Sequence, residues 1–218
     1  MSMESTVLNL TSSENFYTQE AYKTLRTNLM FCGRDVQIIA VTSHRENEGK
    51  TTVVLNLAKS LAELGKKVLV IDADMRKSVM AGRHTKVKNP AGLSEILTGM
   101  VKLTDGLYTT QYDNLHIIFS GKYPPNPVEL LGGKYFPMLL EETRKVYDYV
   151  LIDTPPLGQV IDAAVLAPYC DGTLLVMEAH SIRQKHAKAL INQLDKSGSK
   201  ILGVVRNNVG DGKQHRKR

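Results

Sequence analysis

Six short runs rich in valine, isoleucine and leucine alternate with segments of helical spacing, and this alternation limits the fold more than any other feature. The runs cover residues 36–42, 67–73, 114–120, 148–153, 173–178 and 200–205. Nearly continuous apolar runs of this length are typical of strands that are buried on both faces. Strands joined by crossover helices form mainly parallel sheets. The sequence therefore predicts an α/β fold in which helices cover both faces of a mainly parallel β-sheet.

The helical segments divide the chain into parts. Residues 50–64 and 181–197 predict crossover helices, each followed by a glycine that suits a helix end. Apolar residues at helical spacing around Leu25 predict a further helix before the first strand. The basic stretch Lys77–Asn89 has few large apolar residues and predicts a mobile loop. We expect an N-terminal helical appendage at 1–33, a single core domain at 34–209 and a basic, disordered tail at 210–218.

Composition limits the possible classes of protein. The chain has 218 residues, of which 42% are hydrophobic and 23% charged, as in ordinary globular domains. No apolar run approaches the roughly 18 residues of a membrane span, and the first residues lack the pattern of a signal peptide. We therefore expect a cytoplasmic protein. The net charge is +6, but four of the cations lie within residues 213–218, so a nucleic-acid partner is not expected.

The most informative motif is T-S-H-R-E-N-E-G-K-T-T at residues 42–52, between the first predicted strand and a predicted helix. A Gly-Lys-Thr at such a junction is typical of a phosphate-binding loop, where backbone N–H groups and the helix N-terminus attract phosphate. Lys50 would add a positive charge and Thr51 would bind Mg²⁺, while His44 replaces the usual first glycine. The candidate phosphate-binding residues are Asn47, Glu48, Gly49, Lys50, Thr51 and Thr52.

Polar residues also follow other predicted strands. Asp72, Asp74 and Arg76 follow the second strand, and Asp153 ends the fourth. Because the carboxyl ends of parallel strands meet at one edge of a sheet, we expect these groups beside the phosphate-binding loop. Asp153 is predicted to bind Mg²⁺. Of Asp72 and Asp74, one is expected to help bind the metal and the other to accept a proton. Arg76 is predicted to stabilise negative charge at the site. Asn207, after the last run, suits either a nucleotide base or a turn.

These motifs together resemble the catalytic domains of bacterial tyrosine kinases, the BY-kinases encoded with capsular and exopolysaccharide assembly systems. The resemblance extends from about Ser13 to Asn208 and includes G-L-S-E-I-L-T-G at 92–99 and S-G-K-Y-P-P-N-P-V-E-L-L at 120–131. It implies a P-loop NTPase fold, with D-A-D-M-R as the second Walker motif and L-I-D-T-P-P as Walker B. It further implies an autophosphorylating protein-tyrosine kinase that uses ATP and Mg²⁺ and regulates polysaccharide synthesis and export.

The resemblance also implies partners. A helix motif E-x-x-R-x-x-R mediates ring-shaped self-association in the family, and here Glu20 and Arg26 match it while Lys23 replaces the middle arginine. Lysine keeps the charge but loses the bidentate geometry, so we expect a weaker homo-oligomer. The other implied partners are tyrosine-containing protein substrates and the cytoplasmic segment of a transmembrane activator. That activator would recruit the chain to the inner face of the plasma membrane.

Three departures from the family pattern keep other hypotheses open. Glu46-Asn47 replaces a common Pro-Gly; asparagine tolerates a left-handed backbone, whereas the glutamate adds negative charge near the phosphates. Arg206 replaces an apolar residue. The family's C-terminal tyrosine cluster is not matched, because no tyrosine follows Tyr169. The acceptors would then be other proteins or internal tyrosines such as Tyr17 or Tyr22.

Two alternative functions follow from these differences. One is a P-loop ATPase of the cell-division-positioning or chromosome-partitioning type, although Arg45 stands where those proteins have a signature lysine. The other is a nucleotide-binding partner that has lost kinase activity.

Overall fold

The computed structural model describes Leu10 and residues 16–85, 87–179 and 184–207. Seven strands form one sheet: β1 Ile38–Ser43, β2 Val68–Asp72, β3 Tyr108–Thr109, β4 Leu115–Ile118, β5 Tyr149–Asp153, β6 Gly172–Glu178 and β7 Ile201–Asn207. Their order is β3-β4-β2-β5-β1-β6-β7. Every neighbouring pair is parallel except β3 and β4. The predicted α/β fold with a mainly parallel sheet is confirmed.

Eight α-helices occur in the described residues: α1 Phe16–Met30, α2 Lys50–Glu63, α3 Met80–His84, α4 Leu93–Leu97, α5 Pro127–Leu131, α6 Tyr135–Arg144, α7 Asp162–Leu166 and α8 Gln184–Lys196. Short 3₁₀ helices cover Leu103–Asp105 and Ala167–Tyr169. None of the helices in these residues is long and apolar enough to cross a membrane.

The sheet lies between two apolar layers, which explains the unbroken apolar runs of its central strands. On one face, α2 packs on the sheet through residues such as Leu57, and Leu29 of α1 joins the same apolar cluster. On the other face, Phe136 of α6 and Leu166 of α7 are buried against the sheet, and Leu194 of α8 packs on β6. Because both faces are covered, β1 and β2 are buried along their whole length. Only the strand ends are left to carry polar groups.

Helix α1 lies on α2, on the outside of the sheet. Leu29 is buried, and Arg26 donates a hydrogen bond from Nη1 to the Ser60 carbonyl at 2.6 Å. This agrees with the expected helical appendage before the first strand. The division of the chain at residues 33 and 209 stays a prediction, and the predicted tail at 210–218 lies outside the described residues.

Two details differ from the sequence predictions. The stretch Lys77–Asn89 is predicted to be a loop, but it contains α3, because Met80 is almost fully buried and anchors the segment to the core. The strand β3 is not predicted, since it has only two residues and pairs antiparallel at the edge of the sheet. Of the predicted helix at 181–197, the first residues lie outside the described part of the chain.

Candidate active site

An open cavity of about 450 Å³ lies at the carboxyl edge of the sheet. It is formed by the loop between β1 and α2, by the segment after β2 and by the ends of β5 and β7. Its lining includes every site residue predicted from the sequence except Glu48 and Arg76. The lining residues are Glu46, Asn47, Gly49, Lys50, Thr51, Thr52, Asp72, Asp74, Lys77, Ser78, Val79, Arg83, Asp153 and Asn207.

The loop before α2 has two left-handed residues. Asn47 has φ 63° and Gly49 has φ 86°, so the expectation that asparagine takes this conformation in place of glycine is confirmed. At Gly49 a side chain is also excluded by space, because a Cβ there would collide with Nδ2 of Asn207. The loop is therefore held close to β7, with its backbone directed toward the start of α2.

Glu48 shapes this loop from within. Its carboxylate Oε2 accepts hydrogen bonds from the backbone N–H groups of His44 at 2.8 Å and Arg45 at 2.9 Å. The side chain is buried and does not line the cavity. The Glu48 side chain is thus used to hold the loop, and the predicted contact of Glu48 with phosphate stays a prediction that would fall to its backbone N–H group.

Asn207 also contacts the loop. It is the last residue of β7, and its Nδ2 donates to the Glu48 carbonyl at 3.0 Å. Asn207 lies in a strand rather than a turn, and its contact with a nucleotide base stays a prediction. The side chain ties β7 to the phosphate-binding loop while still lining the cavity.

Asp153 and Thr51 meet at the centre of the site. The Thr51 hydroxyl donates to Asp153 Oδ2 at 2.5 Å. The second carboxylate oxygen, Oδ1, is buried and has no hydrogen-bond partner among the described residues. Burial raises the pKa of Asp153 to about 6, against the opposing effects of Thr51 and the Lys50 ammonium. A buried carboxylate with one unpartnered oxygen beside a threonine hydroxyl fits a hard divalent cation such as Mg²⁺.

Asp72 lies directly beside Asp153 because β2 and β5 pair in register at these two residues. Its oxygens accept hydrogen bonds from the Asp74 N–H at 3.2 Å and from the Ser78 hydroxyl. Burial, and then repulsion from Asp153 and from Asp74, raises the pKa of Asp72 well above its usual range. Neighbouring carboxylates that are charged together repel strongly, so this edge of the site favours a bound cation or a proton.

Two ion pairs that do not involve Asp72 or Asp153 hold the segment after β2 in place. Arg76 donates from Nε and Nη2 to Asp162 at 2.9 Å and 3.1 Å, and the Asp162 side chain is fully buried on α7. Arg76 therefore does not line the cavity, contrary to what its position in the motif suggests. Lys77 forms an ion pair with Glu46 at 2.9 Å, which links the same segment to the phosphate-binding loop.

Three polar lining residues are not predicted from the sequence: Lys77, Ser78 and Arg83. All three lie in the stretch interpreted as a loop; Lys77 and Ser78 are held by hydrogen bonds to Asp74 and Asp72, and Arg83 belongs to α3. The basic character of that stretch is the one signal that points to an anion site.

The sequence matches known proteins along most of its length. A family model described as an AAA domain matches residues 36–201. A Streptococcus agalactiae protein named tyrosine-protein kinase CpsD is 43% identical over 194 residues, which are 89% of this chain and 85% of the relative.

Two solved structures allow the kinase hypothesis to be compared with the hypothesis of a cell-division-positioning ATPase. The kinase domain of Escherichia coli tyrosine kinase ETK has a TM-score of 0.81 and 33% identity, covering 88% of this chain and 78% of that one. The septum site-determining protein MinD from Pyrococcus horikoshii, solved with Mg-ADP, has a TM-score of 0.66 and 29% identity, covering 80% and 71%.

Proposed function

The chain belongs to the bacterial tyrosine kinases, and from this premise we propose that it transfers the γ-phosphoryl group of Mg-ATP to protein tyrosines at the cavity of Lys50, Asp72 and Asp153. One observation carries this proposal: a buried carboxylate with an unpartnered oxygen lies beside a phosphate-binding loop and next to a second buried carboxylate. Phosphoryl transfer needs this combination of charge neutralisation, metal binding and a proton acceptor. By the resemblance to this family, capsule and exopolysaccharide synthesis and export would be the regulated process.

The phosphate groups would lie against the loop and the start of α2. The backbone N–H groups of residues 47–51 and the helix N-terminus attract negative charge, and the buried Lys50 ammonium compensates the β- and γ-phosphates. Thr51 and Asp153 would hold Mg²⁺, with Asp74 at the more exposed side of the same edge. When bound, the metal neutralises charge on the phosphates. These residues thereby position the γ-phosphoryl group for attack.

Asp72 is the better of the two candidate proton acceptors. A free tyrosine has a pKa near 10, so its proton must leave as the new bond forms. A carboxylate with a raised pKa accepts this proton more readily than an ordinary one. Asp74 is half-exposed, and its Oδ1 already accepts the N–H groups of Arg76 at 3.2 Å and Lys77 at 3.0 Å. Arg76 acts at a distance, by fixing this segment on Asp162.

The alternative functions have less support. The likeness to MinD is lower than the likeness to the ETK kinase domain, in TM-score and in identity. The hypothesis of a kinase-dead partner rested partly on the extra charge of Glu46, but the ion pair with Lys77 compensates this charge. A tyrosine kinase therefore agrees best with the site.

The partners are proposed from the family. We infer a homo-oligomer through α1, with Glu20, Lys23 and Arg26 at the contact, and recruitment to the inner face of the plasma membrane by the cytoplasmic segment of a transmembrane activator. Among internal tyrosines, Tyr17 is the better acceptor because it is 79% exposed, whereas Tyr22 is half-buried against α2. Tyrosine-containing proteins other than this chain are the further substrates.

The test replaces Lys50 with methionine, which keeps the length of the side chain and removes the charge. We expect phosphotyrosine formed from Mg-ATP to fall at least about 100-fold, since a preorganised charge on the transferred group contributes at least that much. Mass spectrometry measures the product, with the activator segment present. The exposed Lys145→Met variant is the control. Equal phosphotyrosine in the Lys50→Met and Lys145→Met proteins would contradict the proposed function.

A further inference from the structure

A second cavity, of about 490 Å³, lies beside the first one and shares Ser78 with it. It is lined by α3, by the segment that follows α3 and by the loop after β4. The Ser78 hydroxyl donates to Asp72, so one side chain separates this cavity from the proposed proton acceptor. A polypeptide held in the second cavity could therefore place a tyrosine in the first.

The loop after β4 is held rigidly by a buried carboxylate. Glu95 accepts hydrogen bonds from the N–H of Gly92 at 2.9 Å and, through its other oxygen, from the N–H of Lys122 at 3.1 Å. Gly121 has φ 78°, and a Cβ there would collide with the Glu95 carboxylate. The carboxylate thus fixes the backbone of Lys122 and leaves its side chain exposed to solvent.

Tyr123 joins this loop to the active site. Its hydroxyl donates to the Ser78 carbonyl at 3.2 Å, which bridges the two walls of the second cavity. The cavity wall is therefore preorganised and continuous with the wall of the first cavity. Preorganised walls reduce the entropy lost when a flexible segment binds.

The charges on the two cavities differ. The described lining of the second cavity has no carboxylate, and Lys122 is its one charged residue. Exposed cations stand nearby: Lys88 lies between the lining residues Val87 and Asn89, and Arg83 lines the neighbouring cavity. Neither these two nor Lys122 forms an ion pair with another described residue. The cations are available to an acidic ligand.

We propose that the second cavity binds the residues that flank the acceptor tyrosine of a protein substrate, and that it selects acidic flanks. The proposal rests on the proposed kinase function and adds the class of substrate to it. An extended acidic segment would lie along Lys122 and Lys88 and pass over Ser78, with its tyrosine directed to Asp72. The chain's own residues 213–218 carry four cations, so a separate polypeptide is the expected occupant.

The test is a binding measurement with peptides that cannot be phosphorylated. Three fluorescent peptides have phenylalanine in place of tyrosine, flanked by aspartate and glutamate, by serine and glycine, or by lysine. With Mg²⁺ and a non-hydrolysable ATP analogue present, fluorescence anisotropy should show that the acidic peptide binds at least about five-fold more tightly than the neutral one. The basic peptide should bind most weakly, and high salt should remove the difference.

Two charge-reversal variants test whether the preference for the acidic peptide depends on the second cavity. Lys122→Glu should abolish or reverse the preference for the acidic peptide without disturbing the loop, since Glu95 binds only the backbone of Lys122. Lys200→Glu makes the same charge change before β7, at the opposite edge of the sheet, and should keep the preference. Equal binding of the three peptides, or equal effects of the two variants, would overturn the proposal. Retained acidic preference without phosphotyrosine on a matching tyrosine peptide would contradict only the proposed function.

Discussion

At the scale of single residues, the site contains groups that are unfavourable until a ligand is bound. Asp153 is buried, one of its oxygens has no hydrogen-bond partner among the described residues, and Asp72 lies next to it in register. A buried charge without full compensation costs free energy of folding. The site therefore contains an unfavourable interaction that the proposed divalent cation would relieve.

The first prediction concerns Asp153→Asn, which keeps the shape of the side chain and removes its charge. At pH 8 without metal, the variant should be more stable than the parent by about 1–3 kcal/mol, since the buried charge is lost. Mg²⁺ with a nucleotide should stabilise the parent and not the variant. Urea unfolding with and without Mg-ADP measures both effects. A variant that is less stable than the parent without metal would show that Asp153 is compensated in another way.

The second prediction concerns the left-handed glycine of the phosphate-binding loop. Gly49→Ala should weaken nucleotide binding at least about ten-fold, which corresponds to about 1.4 kcal/mol, because a Cβ would push Asn207 away and displace the loop. Gly65→Ala is the matched control: its φ of 83° is similar, but a Cβ there has no neighbour within 4 Å. Calorimetric titration with Mg-ADP measures the affinities. Similar losses of Mg-ADP affinity in both variants would show that backbone strain, and not the collision with Asn207, causes the effect.

At the scale of single residues, the sequence predicts backbone conformation better than it predicts the contacts of long side chains. Asn47 was assigned its left-handed backbone correctly, because asparagine is one of few residues that adopt it easily. Glu48 and Arg76 were placed correctly along the chain, but their side chains bind a loop and Asp162 rather than the cavity. Position in a motif does not determine the direction of a long side chain, which depends on the partners that folding supplies.

At the scale of elements, the carboxylate of Asp171 joins β1, β6 and α6 at the edge of the sheet where the parallel strands begin. Asp171, just before β6, accepts the N–H groups of Gln37 at 2.9 Å and Ile38 at 2.7 Å, at the start of β1. Arg144 at the end of α6 donates two further hydrogen bonds, at 3.0 Å and 2.9 Å. These donors, Arg144 foremost, outweigh partial burial and lower the pKa of Asp171. The ionised carboxylate therefore stabilises the fold.

The third prediction follows from this direction. Asp171→Asn should destabilise the protein at pH 7 by about 1–3 kcal/mol, since charged hydrogen bonds to buried strand amides are lost. Because the pKa is lower in the folded state, the stabilisation is complete above about pH 4, the ordinary carboxyl value, and declines as the pH falls through the folded pKa. The difference in free energy of unfolding between the parent and Asp171→Asn should therefore become smaller in acid. Urea unfolding from pH 7 to pH 3 measures it.

The exposed Asp113 provides the control for this prediction. Asp113→Asn should change the stability little at either pH, because substitutions of solvent-exposed side chains usually have small effects. If the loss of stability caused by Asp171→Asn became larger in acid, this would contradict the lowered pKa of Asp171.

At the scale of the whole molecule, the architecture is predictable where a single physical rule decides it. Runs such as Val36–Thr42 are buried on both faces, and that burial requires parallel strands with helices on either side. Parallel strands bring their carboxyl ends together, so the amino-acid pattern alone was enough to predict that Asp72 and Asp153 meet. The second cavity was not predictable, since it depends on α3, whose burial rests on tertiary contacts of Met80 rather than on local pattern.

Self-association is proposed for the whole molecule, and the groups assigned to it lie on α1. Glu20 and Lys23 form an exposed ion pair at 2.7 Å within the helix, and Arg26 anchors α1 on α2. Lys23 can make only a single point contact with a neighbouring carboxylate, whereas arginine can make two parallel hydrogen bonds. The strength of the proposed oligomer should therefore depend on this one position.

The fourth prediction is that Lys23→Arg strengthens self-association and Glu20→Ala weakens it, each by about five-fold in the dissociation constant, as expected for one exposed charged contact. Sedimentation velocity over a range of concentrations measures the association. Glu141→Ala removes an exposed carboxylate from α6, on the opposite face of the sheet, and should leave association unchanged. If Glu20→Ala and Glu141→Ala associate as the parent does, α1 is not the contact, and another surface must join the subunits.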